Sequence, residues 1–227
     1  MLSKGGIFVI FAEDVYKKFK TPVLKGVTLE AKAGEIIGIA GENGSGKSTL
    51  LSIISGLLAP DAGRVVLEAG SIGYVPQETA LFDHLSVKDN LRFWAAAYGV
   101  SWKDTDIAHD GALLKQKVHQ LSGGTKKRLS IALACLPRPQ WLVMDEPTAA
   151  LDIGFKGGLF KMLQSIRAEG RGVIFTSHQP DELMWCDRIY ILRSGVFVFA
   201  GDPKNLSNLP MVLYDEGDRV YASNDRP

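Results

Sequence analysis

The chain of 227 residues carries 26 Lys and Arg against 25 Asp and Glu, a net charge of +1, with 46% hydrophobic and 22% charged residues. That length can bury a proper core, the composition is that of a globular protein, and the absence of a strong field argues against nucleic acid as the main partner. No apolar run reaches the about 18–20 residues that a membrane-crossing helix needs, so a cytoplasmic chain is expected, with any membrane role supplied by another polypeptide.

The apolar stretch Ile7 to Ala12, cut off by Glu13 and Asp14, is too short for a secretory leader and reads as a strand. Val23 to Lys32 alternates loosely, and Glu35 to Ala40 is a short apolar run ending in a glycine-rich loop, as a buried strand should. A helix is expected over Ser48 to Leu58, stopped by Pro60, followed by strands at Gly63 to Leu67 and Ser71 to Val75. From Phe82 to Leu133 the pattern turns helical. Ser86 with Asp89 resembles a capping box, Val87, Leu91, Trp94, Ala95 and Tyr98 share a helix face, Asp104 to Asp110 is polar loop, and Leu129 to Leu136 is a second helix.

Short apolar strands return at Trp141–Met144, Val173–Thr176 and Arg188–Leu192, with a helix expected over Gly158 to Glu169. This alternation implies an α/β fold with a mainly parallel sheet covered on both faces, into which the helical stretch is inserted. Residues 211–221 suggest a terminal hairpin. Cys135 and Cys186 stand far apart without a CxxC partner and read as buried thiols in a reducing compartment.

Gly41-Glu42-Asn43-Gly44-Ser45-Gly46-Lys47-Ser48-Thr49 satisfies G-x-x-x-x-G-K-[ST] between an apolar strand and a helix start. Glycines let the backbone wrap so that N–H groups point into one concavity, and the helix start adds its own positive field. Lys47 suits β- and γ-phosphates and the Ser48 hydroxyl suits Mg²⁺, so a nucleoside triphosphate is the expected ligand. Downstream, the Trp141–Met144 strand ends in Asp145 and Glu146, two carboxylates at the edge where open α/β sheets bind ligands. Asp145 would hold the metal and Glu146 could polarise an attacking water.

Leu121-Ser122-Gly123-Gly124-Thr125 lies between those motifs. Here the chain resembles the ABC ATPase family, whose signature is LSGGQ, over about residues 7 to 206. The resemblance implies a P-loop NTPase core with N-terminal antiparallel strands and an inserted helical subdomain. It implies a single nucleotide-binding domain, with a RecA-like core at about 1–77 and 137–210 and the helical subdomain at about 78–136. It also implies that Ser122, Gly123 and Gly124 face the γ-phosphate of ATP held by a second subunit. Thr125 departs from the usual Gln. Lys126-Lys127-Arg128, next to it, reads as a solvated helix face rather than a basic patch.

By the same resemblance Gln77 is the Q-loop glutamine that reaches Mg²⁺ and water, His178 the switch histidine, and Asp152 the D-loop acid at the subunit junction, where Ala150 replaces a more usual serine or glycine. Phe19 would stack on adenine, with Tyr16 as the alternative. The resemblance thus implies an ATPase in which water attacks the γ-phosphate directly, and ATP-driven closure of a homo- or heterodimer powers a separate transmembrane permease. Phe82, Phe93, Trp94 and Tyr98 offer an aromatic coupling surface. Leu81 to Phe93 resembles exporter-type, ABC-2-like subunits. Two other readings remain open at this point: a soluble ABC ATPase of the cofactor-assembly kind, and a nucleotide-dependent regulatory module without turnover.

Overall fold

In the computed structural model, which describes residues 9–68, 70–103, 105–149 and 153–205, the chain builds two sheets. Strands β1 (Val9–Lys18), β2 (Pro22–Lys32) and β4 (Ala62–Leu67) form an antiparallel sheet with β1 in the middle. Strands β3 (Ile36–Ala40), β5 (Ile72–Val75), β6 (Trp141–Met144), β7 (Gly172–Thr176), β8 (Arg188–Arg193) and β9 (Val196–Gly201) form the second, in the order β5-β6-β7-β3-β8-β9. All neighbours in it are parallel except β8 and β9.

Burial follows the two-residue period of a strand, but on both faces at once. Ile36, Leu142, Met144, Val173 and Phe175 pack on one side with Leu159, Leu163 and Ile166 of helix α4 (Ile153–Ala168). Ile37, Ile39, Trp141, Val143 and Ile174 pack on the other with Leu50, Leu51 and Ile54 of helix α1 (Lys47–Ile54), and with Ile10, Leu24 and Leu29 of the antiparallel sheet. This is why β3, β6 and β7 read as continuous apolar runs.

A third apolar cluster joins Val87, Leu91 and Ala95 of helix α2 (Val87–Tyr98) to Leu129, Leu133 and Leu136 in and just beyond helix α3 (Gly123–Cys135). Ser86 caps α2 as its spacing predicts: Ser86 Oγ accepts from the Asp89 amide at 3.1 Å and donates to Asp89 Oδ2 at 2.6 Å. Of the residues read on one helix face, Tyr98 is 45% exposed at the helix end.

Several boundaries differ from the sequence reading, each for a local reason. β1 continues past Glu13 and Asp14 through a bulge, with Asp14 at φ 46° and its amide donated to Thr28 Oγ1. α1 ends at Ile54, closed by Gly56 at φ 72° before Pro60 is reached. α4 starts at Ile153 rather than Gly158, despite Gly154, Gly157 and Gly158, each of which weakens a helix by roughly 1 kcal/mol. The polar stretch expected as loop contains a 3₁₀ turn, Asp106–His109, because Ile107 is drawn into the third cluster. β9 has no counterpart among the expected strands. It pairs with β8 across Ser194 and Gly195, both at positive φ as a two-residue hairpin requires. A short helix α5 (Pro180–Leu183) follows the His178 segment. Residues 211–221, read as a hairpin, lie outside the described residues.

Candidate active site at one edge of the parallel sheet

Four neighbouring strands, β5, β6, β7 and β3, end on one edge, and each is followed by one of the motifs. Gln77 follows β5, Asp145 and Glu146 follow β6, His178 follows β7, and the 41–49 loop follows β3. Parallel register keeps these ends level: Val75 pairs with Met144, Met144 with Phe175, and Ile39 with Thr176.

The phosphate loop closes through glycines whose backbone conformation or close neighbours disfavour a side chain. A Cβ on Gly41, at φ 147°, would stand 2.2 Å from the Leu192 carbonyl oxygen, and one on Gly46, at φ 110°, 2.9 Å from Leu24 Cδ2. Lys47 Nζ reaches back over the loop, donating to the carbonyls of Gly41 at 2.8 Å and Glu42 at 2.9 Å. Burial pulls its ammonium below the usual lysine range, while Glu146, Asp145 and Glu42 pull it back up. Among the described residues Ser45 Oγ is buried without a partner, and α1 starts with no side-chain cap. The loop thus holds a cation, an unused hydroxyl and free helix-start amides, a donor set matched to a polyphosphate. Asn43, Gly44 and Ser48 are exposed on it and Thr49 is half-buried.

Asp145 is 2% exposed and held by Thr176, whose Oγ1 donates to Asp145 Oδ1 at 2.7 Å and accepts from the Glu146 amide at 2.8 Å. Glu146 sits at φ 43°, a conformation that costs about 1–2 kcal/mol for a non-glycine residue and is tolerated where function needs it. Its carboxylate accepts from Gln77 Nε2 at 3.3 Å and lies 3.7 Å from His178 Nδ1. The structure therefore brings Gln77, Glu146 and His178 together. The Ser48 hydroxyl and the Asp145 carboxylate are hard oxygen donors of the kind Mg²⁺ prefers, an ion that keeps much of its shell as water and phosphate. No group of three or more His, Cys, Asp or Glu among the described residues could cage a metal by itself.

Beside this cluster lies a carboxylate that sequence reasoning missed. Glu182 of α5 is fully buried, accepting from Thr148 Oγ1 and Ser177 Oγ at 2.6 Å each and paired with Lys156 Nζ of α4 at 2.8 Å. It ties the segment after Glu146 to the residue before His178. Its signal was the Ser177-His178 pair followed four residues on by a glutamate.

The Ser122–Gly124 turn is built differently. Ser122 caps α3, its Oγ accepting from the Thr125 amide at 3.2 Å and lying 2.9 Å from Thr125 Oγ1. Among the described residues that side chain bonds only within its own turn, and both Ser122 and Gly123 are exposed. In the neighbouring basic triplet Arg128 is exposed, as a solvated face requires, but Lys127 is not. Lys127 is 5% exposed, because its Nζ donates to the carbonyls of Pro76 at 3.0 Å and Gln77 at 2.7 Å.

Phe19 stands in the turn between β1 and β2, 58% exposed, with Lys17 Nζ 5.7 Å from its ring centre. Val23 and Leu24, just beyond, pack against Gly46, which sets this turn beside the phosphate loop. Tyr16, the alternative, turns its hydroxyl toward Gly26. Asp152 lies outside the described residues.

The family model described as ABC transporter matches residues 24–149. The chain is 33% identical over 216 residues to the linearmycin resistance ATP-binding protein LnrL of Bacillus subtilis (strain 168), covering 86% of this chain and 70% of that one. It is 31% identical over 224 residues to the lipopolysaccharide export system ATP-binding protein LptB of Acidithiobacillus ferridurans, covering 88% and 93%. Among solved structures, a dimeric ATP-binding cassette in a post-hydrolysis state bound to ADP and Pi superposes with a TM-score of 0.74 at 25% identity, covering 86% of this chain and 98% of that one. The chain belongs to the ABC transporter family, as one of its ATP-binding, ATP-hydrolysing subunits.

Proposed function

We propose that ATP is hydrolysed at the β5-β6-β7-β3 edge by direct attack of water on the γ-phosphorus. The phosphorus–oxygen bond to the attacking water forms as the bond to the ADP leaving oxygen breaks, and Glu146 takes the water's proton as general base. His178 and Gln77 hold that carboxylate and the water in line, and Lys47 with the loop amides of Gly41 to Thr49 neutralises charge on the phosphates. Ser48, Asp145 and Gln77 would hold Mg²⁺, which offsets the charge on the phosphate oxygens when bound. Phe19 stacks on the adenine.

The observation that carries this reading is the delivery of four motif residues, Gln77, Asp145, Glu146 and His178, by adjacent strand ends onto the edge where the loop opens. The exposed Ser122–Gly124 turn supports a shared site, in which each chain completes the nucleotide site of a second ATPase subunit. Asp152 would stand at that junction. ATP, touched by both halves, favours the closed pair, and ADP releases it.

The motion is passed to a separate membrane-spanning permease, so that the chain works at the cytoplasmic face. Among the described residues no helix is long and apolar enough to cross a membrane. The coupling surface is the aromatic group on and beside α2: Phe82 and Phe93 at 4.7 Å between ring centres, then Trp94 and Tyr98 at 5.9 Å, with Phe93 half exposed. The separate apolar cluster of residues 87–136 supports a helical subdomain at about 78–136, set into a core at about 1–77 and 137–210.

The test is Glu146→Gln in the assembled complex. Turnover should fall by roughly 10²–10⁴, with ATP-bound pairs accumulating, since binding is intact and only the proton acceptor is lost. Near-normal hydrolysis would remove Glu146 from the base role.

A further inference from the structure

The three basic residues that follow the signature turn go three separate ways. Lys126 pairs with Asp83 at 3.2 Å, Arg128 lies over the Phe155 ring at 5.9 Å, and Lys127 turns inward to the backbone after β5. A buried ammonium is costly unless its donors are used. Lys127 uses two of them on the Pro76 and Gln77 carbonyls and bonds no carboxylate among the described residues, although Asp145 and Glu146 act on it at longer range.

Gln77 is therefore held at both ends. Its side chain donates to Glu146 at 3.3 Å, and its carbonyl accepts from Lys127 at 2.7 Å. Any shift of Gln77 with the state of the γ-phosphate and the attacking water pulls on a lysine rooted in α3. That helix is continuous from its cap at Ser122 to Cys135, so a pull at Lys127 is felt at the signature turn little more than one helical turn away.

We infer that Lys127 is a positioning residue: it straps the Gln77 segment to α3, so that the nucleotide in a chain's own loop biases the Ser122 turn which that chain offers to its partner. The inference rests on the shared-site reading above. It gives the two sites of a closed pair a physical connection through each subunit, with a two-point bond at its centre rather than a diffuse path.

The experiment compares Lys127→Met, which keeps the length of the stem and removes the donors, with Lys127→Arg, which keeps donors. In the free subunit, the ATP affinity of Lys127→Met should stay within about twofold of the parent. In the assembled complex the same variant should lower kcat by about tenfold while leaving KM nearly unmoved, and Lys127→Arg should restore at least half of the turnover. Where Lys127→Met does not fold, Lys127→Leu replaces it. Parental turnover, or a loss of ATP affinity in the free subunit, would each overturn the strap. Ser122→Arg, run alongside, separates the two failures. If it inactivates the complex while Lys127→Met does not, the strap alone falls; if Ser122→Arg is active, the shared site falls first.

Discussion

The phosphate-loop edge and the signature turn contact the same ligand in the proposed closed pair, yet they are built by opposite means. At the edge, Lys47 is 5% exposed and Asp145 2%, the loop carries glycines where no Cβ fits, and Thr176 joins Asp145 to the Glu146 backbone. At the turn, Ser122 and Gly123 face solvent and the serine bonds only its own turn among the described residues. The first region is organised before anything binds. The second is an exposed helix cap, which in the proposed closed pair acts only when another surface arrives. In that pair, where ATP binding favours association, the exposed turn is the half that closure completes.

The comparison breaks most sharply at Lys47. Lys47→Ala removes the side-chain ammonium bonded inside the loop and leaves the Gly41 and Glu42 carbonyls facing the vacated space. ATP affinity of the free subunit should fall by about 10² or more, a loss in the range of a buried charge-assisted contact, as read by equilibrium binding of a fluorescent nucleotide. Unchanged affinity would move the nucleotide away from this loop altogether. Ser122→Arg comes next. Because the turn takes no part in the internal edge, ATP binding to the free subunit should stay within about twofold while turnover of the complex drops by at least about 10². If binding and turnover fell together, the two regions would not be separable.

How much of this was legible beforehand depended on whether the signal was local. The 41–49 loop, the Asp145-Glu146 pair and the Ser122–Gly124 turn are contiguous, and their chemistry is dictated by spacing along one segment. The fold class was legible for the same reason, since strands buried on both faces leave a continuous apolar run. Lys127 was misread because the three basic residues look alike in sequence, and only the packing of α3 against β5 decides which one points inward. Thr176 escaped notice because its partner Asp145 lies 31 residues away, and Glu182 because two of its three partners, Thr148 and Lys156, lie on distant segments. Boundary errors obeyed the same rule. β1 was cut at Glu13 because charge reads as an end, whereas the bulge at Asp14 and pairing with β2 and β4 carry the strand on to Lys18.

The smallest effect tests how firmly the outward turn is held. In the family signature a glutamine follows the two glycines, and here Thr125 stands in its place with its hydroxyl 2.9 Å from that of Ser122. Thr125→Val keeps the β-branched shape and the backbone cap from the Thr125 amide, and removes only the hydroxyl that fixes the Ser122 side chain. A solvent-facing hydrogen bond between neutral groups contributes at the low end of about 0.5–1.5 kcal/mol, so turnover of the complex should fall by only about two- to fivefold, with ATP binding to the free subunit unchanged. The contrast with the buried edge is what makes the number informative. A loss of about 10² would mean that Thr125 itself touches the partner's nucleotide and has taken over work assigned to Ser122. No loss at all would mean that the backbone cap alone sets the serine, and that closure rather than the free chain aims its hydroxyl.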